Sequence, residues 1–318
     1  MAAGAPKIVL ALGGGGARGF AHVGVLEELE ARGARVAGIT GVSAGALAGA
    51  GFALGHRSEQ MRVRIAEFLD SPLANPSILR HMVEEPGSET DSSLADRVMR
   101  LFIKGRVITH FLLHAAIMGQ EYFARVIDFF LPDTLIEDLP LPFWCVATDV
   151  KTGEAVIFDR GPLRRAVLAS SAVPGMCEPV EVNGRFLMDG GVAALVPLDA
   201  ARLMAAERWG GGLVAAVNVD RNVVTNQVPE TALECYLRAG EIQSHLLNRK
   251  MLAEADVVIE PLVGEVNWAE FDRADWLIEQ GVAAARAAWP RLVEAQTPPG
   301  IWARLRRLAQ GVRSRGAA

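Results

Sequence analysis

Short unbroken apolar runs alternate along the chain with longer stretches in which apolar residues recur every three or four positions, the patterns of buried strands and of helices. Lys7 to Leu12 (KIVLAL) is a run of strand length, and Gly13 to Gly16 break it. GFAHVGVLEELEARG then carries its apolar residues at helical spacing. Val36 to Thr40 reads as a second strand, and Ala44 to Leu54, built mostly of Ala, Gly and Leu, as a helix slim enough to lie close on a sheet. Strand, helix, strand, helix in this order predicts a parallel sheet. From Ser58 to about Leu131 helical spacing dominates, interrupted by the polar stretch SPLANPSILRHMVEEPGSETDSS. This predicts a helical insertion with a mobile loop. Strand patterns return at FWCVATD (143–149) and EAVIF (154–158), a helix follows at LRRAVLASSA, and Pro174 stops it. PVEV-NG-RFLMD reads as a hairpin, because Asn183-Gly184 is a turn pair that tolerates positive φ. Strands at LVAAVNV (213–219) and DVVIEP, with helices over ALECYLRAGEIQSHLLNRK and DWLIEQGVAAARAAW, complete the pattern. The expected architecture is a three-layer α/β domain over residues 1–290, with a mostly parallel central sheet, a helical insertion or cap over 58–135, and a basic tail over 291–318.

One segment invites a different reading. Val36 to Gly55 is 20 residues long without a charge, the length of a membrane span. Its six glycines, with Thr40 and Ser43, suit a strand, a sharp turn and a small-residue helix better than a continuous span. With 51% hydrophobic and 22% charged residues the chain can bury a large core. A net charge of −5 offers no basic face, and so no general case for nucleic acid. Cys145, Cys177 and Cys235 lie far apart, in neither a metal-binding pair nor a disulfide framework, which fits a reducing cytoplasm. Lys7 alone precedes the first apolar run, and glycines end that run at once, unlike a secretory signal. A cytoplasmic location is expected.

Gly41-Val42-Ser43-Ala44-Gly45 is a GxSxG elbow between a predicted strand and a predicted helix, the setting in which a strained turn lifts a serine hydroxyl out of a sheet. Gly41 and Gly45 keep the turn free of side chains, and the helix aims its positive end at the site. A serine hydroxyl needs a base. None of His22, His56, His81, His110, His114 and His245 stands in a recognisable triad order, and His22, inside a helix, reads as a core or capping histidine. Asp189 is better placed, at a strand end before Gly190 and Gly191. The first loop, Gly13 to Gly19, puts successive glycine N–H groups at a helix N-terminus, where they can hold an oxyanion. Gly14-Gly15-Gly16-Ala17-Arg18-Gly19 also fits the GxGxxG of a dinucleotide site, but the second strand runs into Ser43 where that site requires an acid.

Together, and in this order, GGGGARG, GVSAG and DGG resemble the patatin-like phospholipase family, its bacterial neuropathy-target-esterase-like branch most of all. FAHVGVLEEL, ATDVKTGE, ASSAVPGMCEPV and FLMDGG extend the likeness over roughly residues 7–220. The resemblance implies a serine esterase acting on acyl lipids through a Ser-Asp dyad, Ser43 as nucleophile and Asp189 as base, with an oxyanion hole at Gly14, Gly15 and Gly16 beside Arg18. It implies no metal and no cofactor. Val192 to Pro197 departs from the family, since polar Asn is expected near this position in many relatives, and the insertion has no matching motif. Head group and chain length are therefore not read. Two other functions stay open: acyl transfer to an alcohol, and a catalytically silent lipid-binding regulator.

The tail carries Arg304, Arg306, Arg307, Arg313 and Arg315, no acid, and the apolar Ile301, Trp302, Leu305 and Leu308. On a helix these apolar residues share a face beside the arginines, a pattern suited to peripheral contact with an anionic inner membrane surface, each basic residue contributing about 1 kcal/mol. A frayed terminus with Trp302 packed on the body is the other reading.

Overall fold

A computed structural model describes residues 7–74 and 116–296, apart from 222 and 225–227. Most of the polar stretch expected to form a mobile loop, and the whole basic segment from Ile301, lie outside the described residues. Eight strands, β1 (Ile8–Leu12), β2 (Val36–Gly41), β3 (Phe143–Asp149), β4 (Ala155–Phe158), β5 (Val180–Val182), β6 (Arg185–Asp189), β7 (Leu213–Val217) and β8 (Val257–Ile259), form one sheet. Its order is β5-β6-β3-β2-β1-β7-β8, with β4 also paired to β3. The run from β3 through β2, β1 and β7 to β8 is parallel, and β4, β5 and β6 pair antiparallel. The helices are α1 (Phe20–Ala31), α2 (Ala44–Ala53), α3 (Ser58–Leu69), α4 (Gly119–Phe130), α5 (Leu163–Ser170), α6 (Leu198–Trp209), α7 (Ala232–Leu252) and α8 (Ala274–Gln296).

Three layers follow from the alternation of side chains along a fully buried strand. Ile8, Leu10 and Leu12 of β1 enter the larger core with residues of α1, α2, α5 and α8, whereas Val9 and Ala11 enter a second core with Leu198, Ala201 and Met204 of α6. The helices α1 and α8 cross closely because glycines meet at the crossing. A Cβ on Gly24 would stand 1.8 Å from the Ile278 carbonyl oxygen, and one on Gly281 2.0 Å from that of Ala21. Val36 to Gly55, the uncharged stretch, is a strand, an elbow and a ten-residue helix. Among the described residues no helix is long and apolar enough to cross a membrane. The strand boundaries differ from the sequence pattern by a residue or two, and α6 is an element the pattern did not disclose.

The register of β3 decides what meets what. Cys145 pairs with Gly41 of β2 and with Phe158 of β4, and Ala147 pairs with Val156 of β4 and with Asp189 of β6. A strand has two edges, so β4 occupies one and β2 and β6 follow each other along the other. Where β2 leaves that edge, β6 takes it over. Ser43 lies two residues beyond Gly41, and Asp189 lies opposite the residue two beyond Cys145. The sheet itself delivers both side chains to the same point. The Asn183-Gly184 turn closes the β5–β6 hairpin with both residues at positive φ, 52° and 77°, so Asp189 reaches this point through the turn read from the sequence.

Candidate active site

Ser43 sits between β2 and α2 at φ 53° and ψ −122°, a conformation L residues rarely adopt. Close packing holds it there. A Cβ on Gly45 would lie 2.3 Å from the Leu12 carbonyl oxygen, and one on Gly41 2.5 Å from Ala46 Cα, so neither flanking position has room for a side chain. The Ser43 N–H donates to Ser170 Oγ at 3.0 Å, and the Ser170 hydroxyl donates to the Val146 carbonyl at 2.7 Å. Ser170, fully buried at the end of α5, thus ties the strained turn to β3. Its tie to Ser43 spans 127 positions, and no local signal announces it. Ser170→Ala leaves a buried N–H and a buried carbonyl without partners, a cost of roughly 1–3 kcal/mol each. Denaturant unfolding is expected to show that loss, together with reduced activity from the loosened elbow.

Asp189 ends β6, is 7% exposed, and accepts the Gly191 N–H at 2.7 Å. Burial pushes its carboxyl up to about 6, against the opposing influence of hydrogen bonds from the Ser43 side chain and the Gly191 amide. Ser43 and Asp189, paired in the sequence reading, are therefore neighbours in space. His22 is fully buried and lies against the Gly13 carbonyl, 2.7 Å from Nε2, and burial lowers it to about 4, leaving it neutral. His245 bonds Asp220 at 3.1 Å. His81, His110 and His114 lie outside the described residues. Burial raises the thiols of Cys145 and Cys177, the latter to about 12, so neither supplies a thiolate.

The glycine loop divides into struts and free donors. The Gly13 N–H donates to the Val217 carbonyl at 3.0 Å and that of Gly14 to the Leu195 carbonyl at 2.9 Å. The Gly14 amide, expected with those of Gly15 and Gly16 as an oxyanion donor, thus already has the Leu195 carbonyl as its acceptor. Leu195 belongs to the segment with the unusual apolar sequence, and it meets the loop through its backbone. The amides of Gly15 and Gly16 have no protein acceptor among the described residues. Arg18, 8% exposed, donates from Nε to the Gly15 carbonyl at 3.2 Å. Because a peptide is planar and trans, holding that carbonyl turns the Gly16 N–H the opposite way. Burial lowers the Arg18 guanidinium to about 10, Asp220 opposing the shift, so Arg18 stays charged at neutral pH. Gly16 itself has φ 59°, and a Cβ there would stand 2.4 Å from the Trp268 carbonyl oxygen.

Ser43 opens into a cavity of about 200 Å³, walled by α1 and α2 on one side and by α3 and α4, parts of the expected insertion, on the other. Phe20, Leu47, Phe68, Phe123 and Phe271 give it an almost wholly apolar lining. Among the described residues no group of His, Cys, Asp and Glu is arranged to hold a metal ion.

Fold and site together define an α/β protein with a strained serine elbow beside a buried carboxylate and a glycine loop. A patatin-like phospholipase family model matches residues 10–202, a stretch that contains all three features, and the chain belongs to that family. An NTE family protein of Mycobacterium tuberculosis, described as uncharacterized, is 35% identical over 193 residues, covering 61% of this chain and 45% of the relative. Another from the same organism is 29% identical over 303 residues, covering 88% and 46%. Patatin-like phospholipase domain-containing protein 7 of Rattus norvegicus is 31% identical over 226 residues, covering 69% and 14%. The chain spans less than half the length of these relatives. Among solved structures, VipD from Legionella pneumophila aligns at 13% identity and a TM-score of 0.45, over 90% of this chain and 67% of its own. Human GIVD cytosolic phospholipase A2, in complex with methyl gamma-linolenyl fluorophosphonate, aligns at 14% identity and a TM-score of 0.43, over 92% and 60%.

Proposed function

We propose that the chain is a lipid-directed serine esterase, a carboxylic ester hydrolase of phospholipase or lysophospholipase type. The observation that carries this reading is the Ser43 side chain, held at positive φ against the buried carboxyl of Asp189, in the wall of an apolar cavity. Asp189 takes the Ser43 proton as Oγ attacks the ester carbonyl carbon. The oxyanion so formed is held by the N–H groups of Gly15 and Gly16, with Arg18, through the Gly15 carbonyl, fixing the direction of the Gly16 N–H. Collapse returns the proton to the departing alcohol and leaves the acyl group on Ser43. Water, deprotonated by Asp189, then releases the fatty acid. An aspartate near 6 is a better matched base for neutral pH than an ordinary carboxylate near 4.

A fluorophosphonate probe tests the reading directly, since it labels an activated serine. Covalent labelling of the peptide that contains Ser43, with release of fatty acid from a lipid ester, is the expected result. Absence of both would favour the silent lipid-binding alternative. Ester product formed when an alcohol is added, at the expense of free acid, would favour acyl transfer.

A further inference from the structure

We infer that the cavity measures its acyl chain along α2 and that Gly51 sets the length it accepts. The inference rests on the reading of Ser43 as acyl acceptor. Ser43, Ala44, Leu47, Ala48 and Gly51 line the cavity, positions 0, 1, 4, 5 and 8 of one helical face, so the cavity follows the helix from its first residue to its last turn. Eight residues at a rise of 1.5 Å place Gly51 about 12 Å from Ser43 along the axis. A staggered hydrocarbon with bonds of about 1.5 Å and near-tetrahedral angles advances about 1.25 Å per carbon, so an acyl chain on Ser43 reaches Gly51 at about its tenth carbon.

Gly51 differs from the other two glycines of α2, Gly45 and Gly49, since a Cβ on Gly45 would already stand 2.3 Å from the Leu12 carbonyl oxygen. A Cβ on Gly49 would stand 2.8 Å from Ile39 Cγ2, which makes glycine necessary for packing on the sheet. A Cβ on Gly51 would meet only Met61 Cε, at 3.6 Å, an ordinary contact. Glycine inside a helix is destabilising relative to alanine, and packing does not require it here. What its missing side chain leaves is open space in the cavity, at the level the chain reaches near its tenth carbon. Ala48, five residues from Ser43 on the same face, stands at about 7.5 Å, the level of about the sixth carbon.

The experiment is a series of p-nitrophenyl esters from four to sixteen carbons, read as kcat/KM for the full chain and for Gly51→Leu and Ala48→Leu. The unaltered protein is expected to prefer chains of about ten carbons and to fall off beyond them. Gly51→Leu should lower the ratio of ten-carbon to four-carbon turnover by tenfold or more, and Ala48→Leu should bring the fall-off down to about six carbons. Unchanged ratios across chain length in variants whose thermal melts match that of the unaltered protein overturn the ruler, as does a profile in the unaltered protein with no fall-off. No turnover of any ester by the unaltered protein overturns the esterase reading and the ruler with it.

Discussion

Ser43→Ala is expected to abolish fluorophosphonate labelling and to lower ester turnover by roughly 10⁴-fold or more, the scale seen when a hydrolase loses its nucleophile. The hydroxyl is the only atom removed, and the bonds that shape the elbow, from the Ser43 amide to Ser170 and from Ser170 to Val146, are made by groups that remain. The fold should therefore survive. The backbone strain survives too, because alanine at φ 53° is no more comfortable than serine. Ser43→Gly removes it, and glycine adopts this conformation freely. The glycine variant should be as inactive as the alanine variant, yet more stable than it by about 1 kcal/mol. Strain held at the reacting residue would then be visible as stability gained when the reaction is given up. Turnover of a short-chain ester persisting in either variant would remove Ser43 from the nucleophile's role, and a glycine variant less stable than alanine would mean that the elbow is not strained.

The parts of this site that were legible in the sequence are those written in consecutive residues. Gly41 to Gly45 reads as an elbow because a strand must turn sharply into a helix there, and Asn183-Gly184 reads as a hairpin because two successive positive φ values require such residues. Asp189 was found at its strand end for the same reason. What was not legible depends on partners far away in the chain. Gly14, Gly15 and Gly16 look alike in sequence, and only the Leu195 carbonyl, which takes the Gly14 amide, separates strut from free donor. Ser170 sits in a run of small residues, and its task follows from the nearness of Ser43 and Val146. The helix α6 escaped notice because alanines do much of its burying. Ala200, Ala201 and Ala205 are buried beside Leu198 and Met204, and alanines spread over an Ala-rich segment blur the apolar stripe that periodicity detects. The meeting of Ser43 with Asp189 is a property of register, two strands sharing one edge of β3, and no local motif encodes it.

Asp189→Asn should act on activity and stability in opposite directions. An amide cannot take the Ser43 proton, so turnover is expected to fall by roughly 10³- to 10⁴-fold, close to the loss from Ser43→Ala, and the double variant should resemble the worse single. In the unaltered protein, activity should decline as pH drops through about 6, where the carboxyl becomes protonated. Stability has the reverse sign. Burial raises the folded carboxyl to about 6, above its ordinary value near 4 in the unfolded chain, so the folded state holds its proton more tightly. The ionised form is therefore a penalty, absent below pH 4, growing between pH 4 and 6, and complete above 6. Two units correspond to roughly 3 kcal/mol. Asparagine carries no charge to desolvate and can still accept the Gly191 N–H. Thermal melts should accordingly place Asp189→Asn several degrees above the unaltered protein at pH 8, with the gap closing by pH 4. A gap of the same size at both pH values would trace the gain to something other than the carboxylate, and a lower Tm at pH 8 would mean that the ionised carboxylate stabilises the folded site, through its bonds to Ser43 and Gly191, by more than its burial costs.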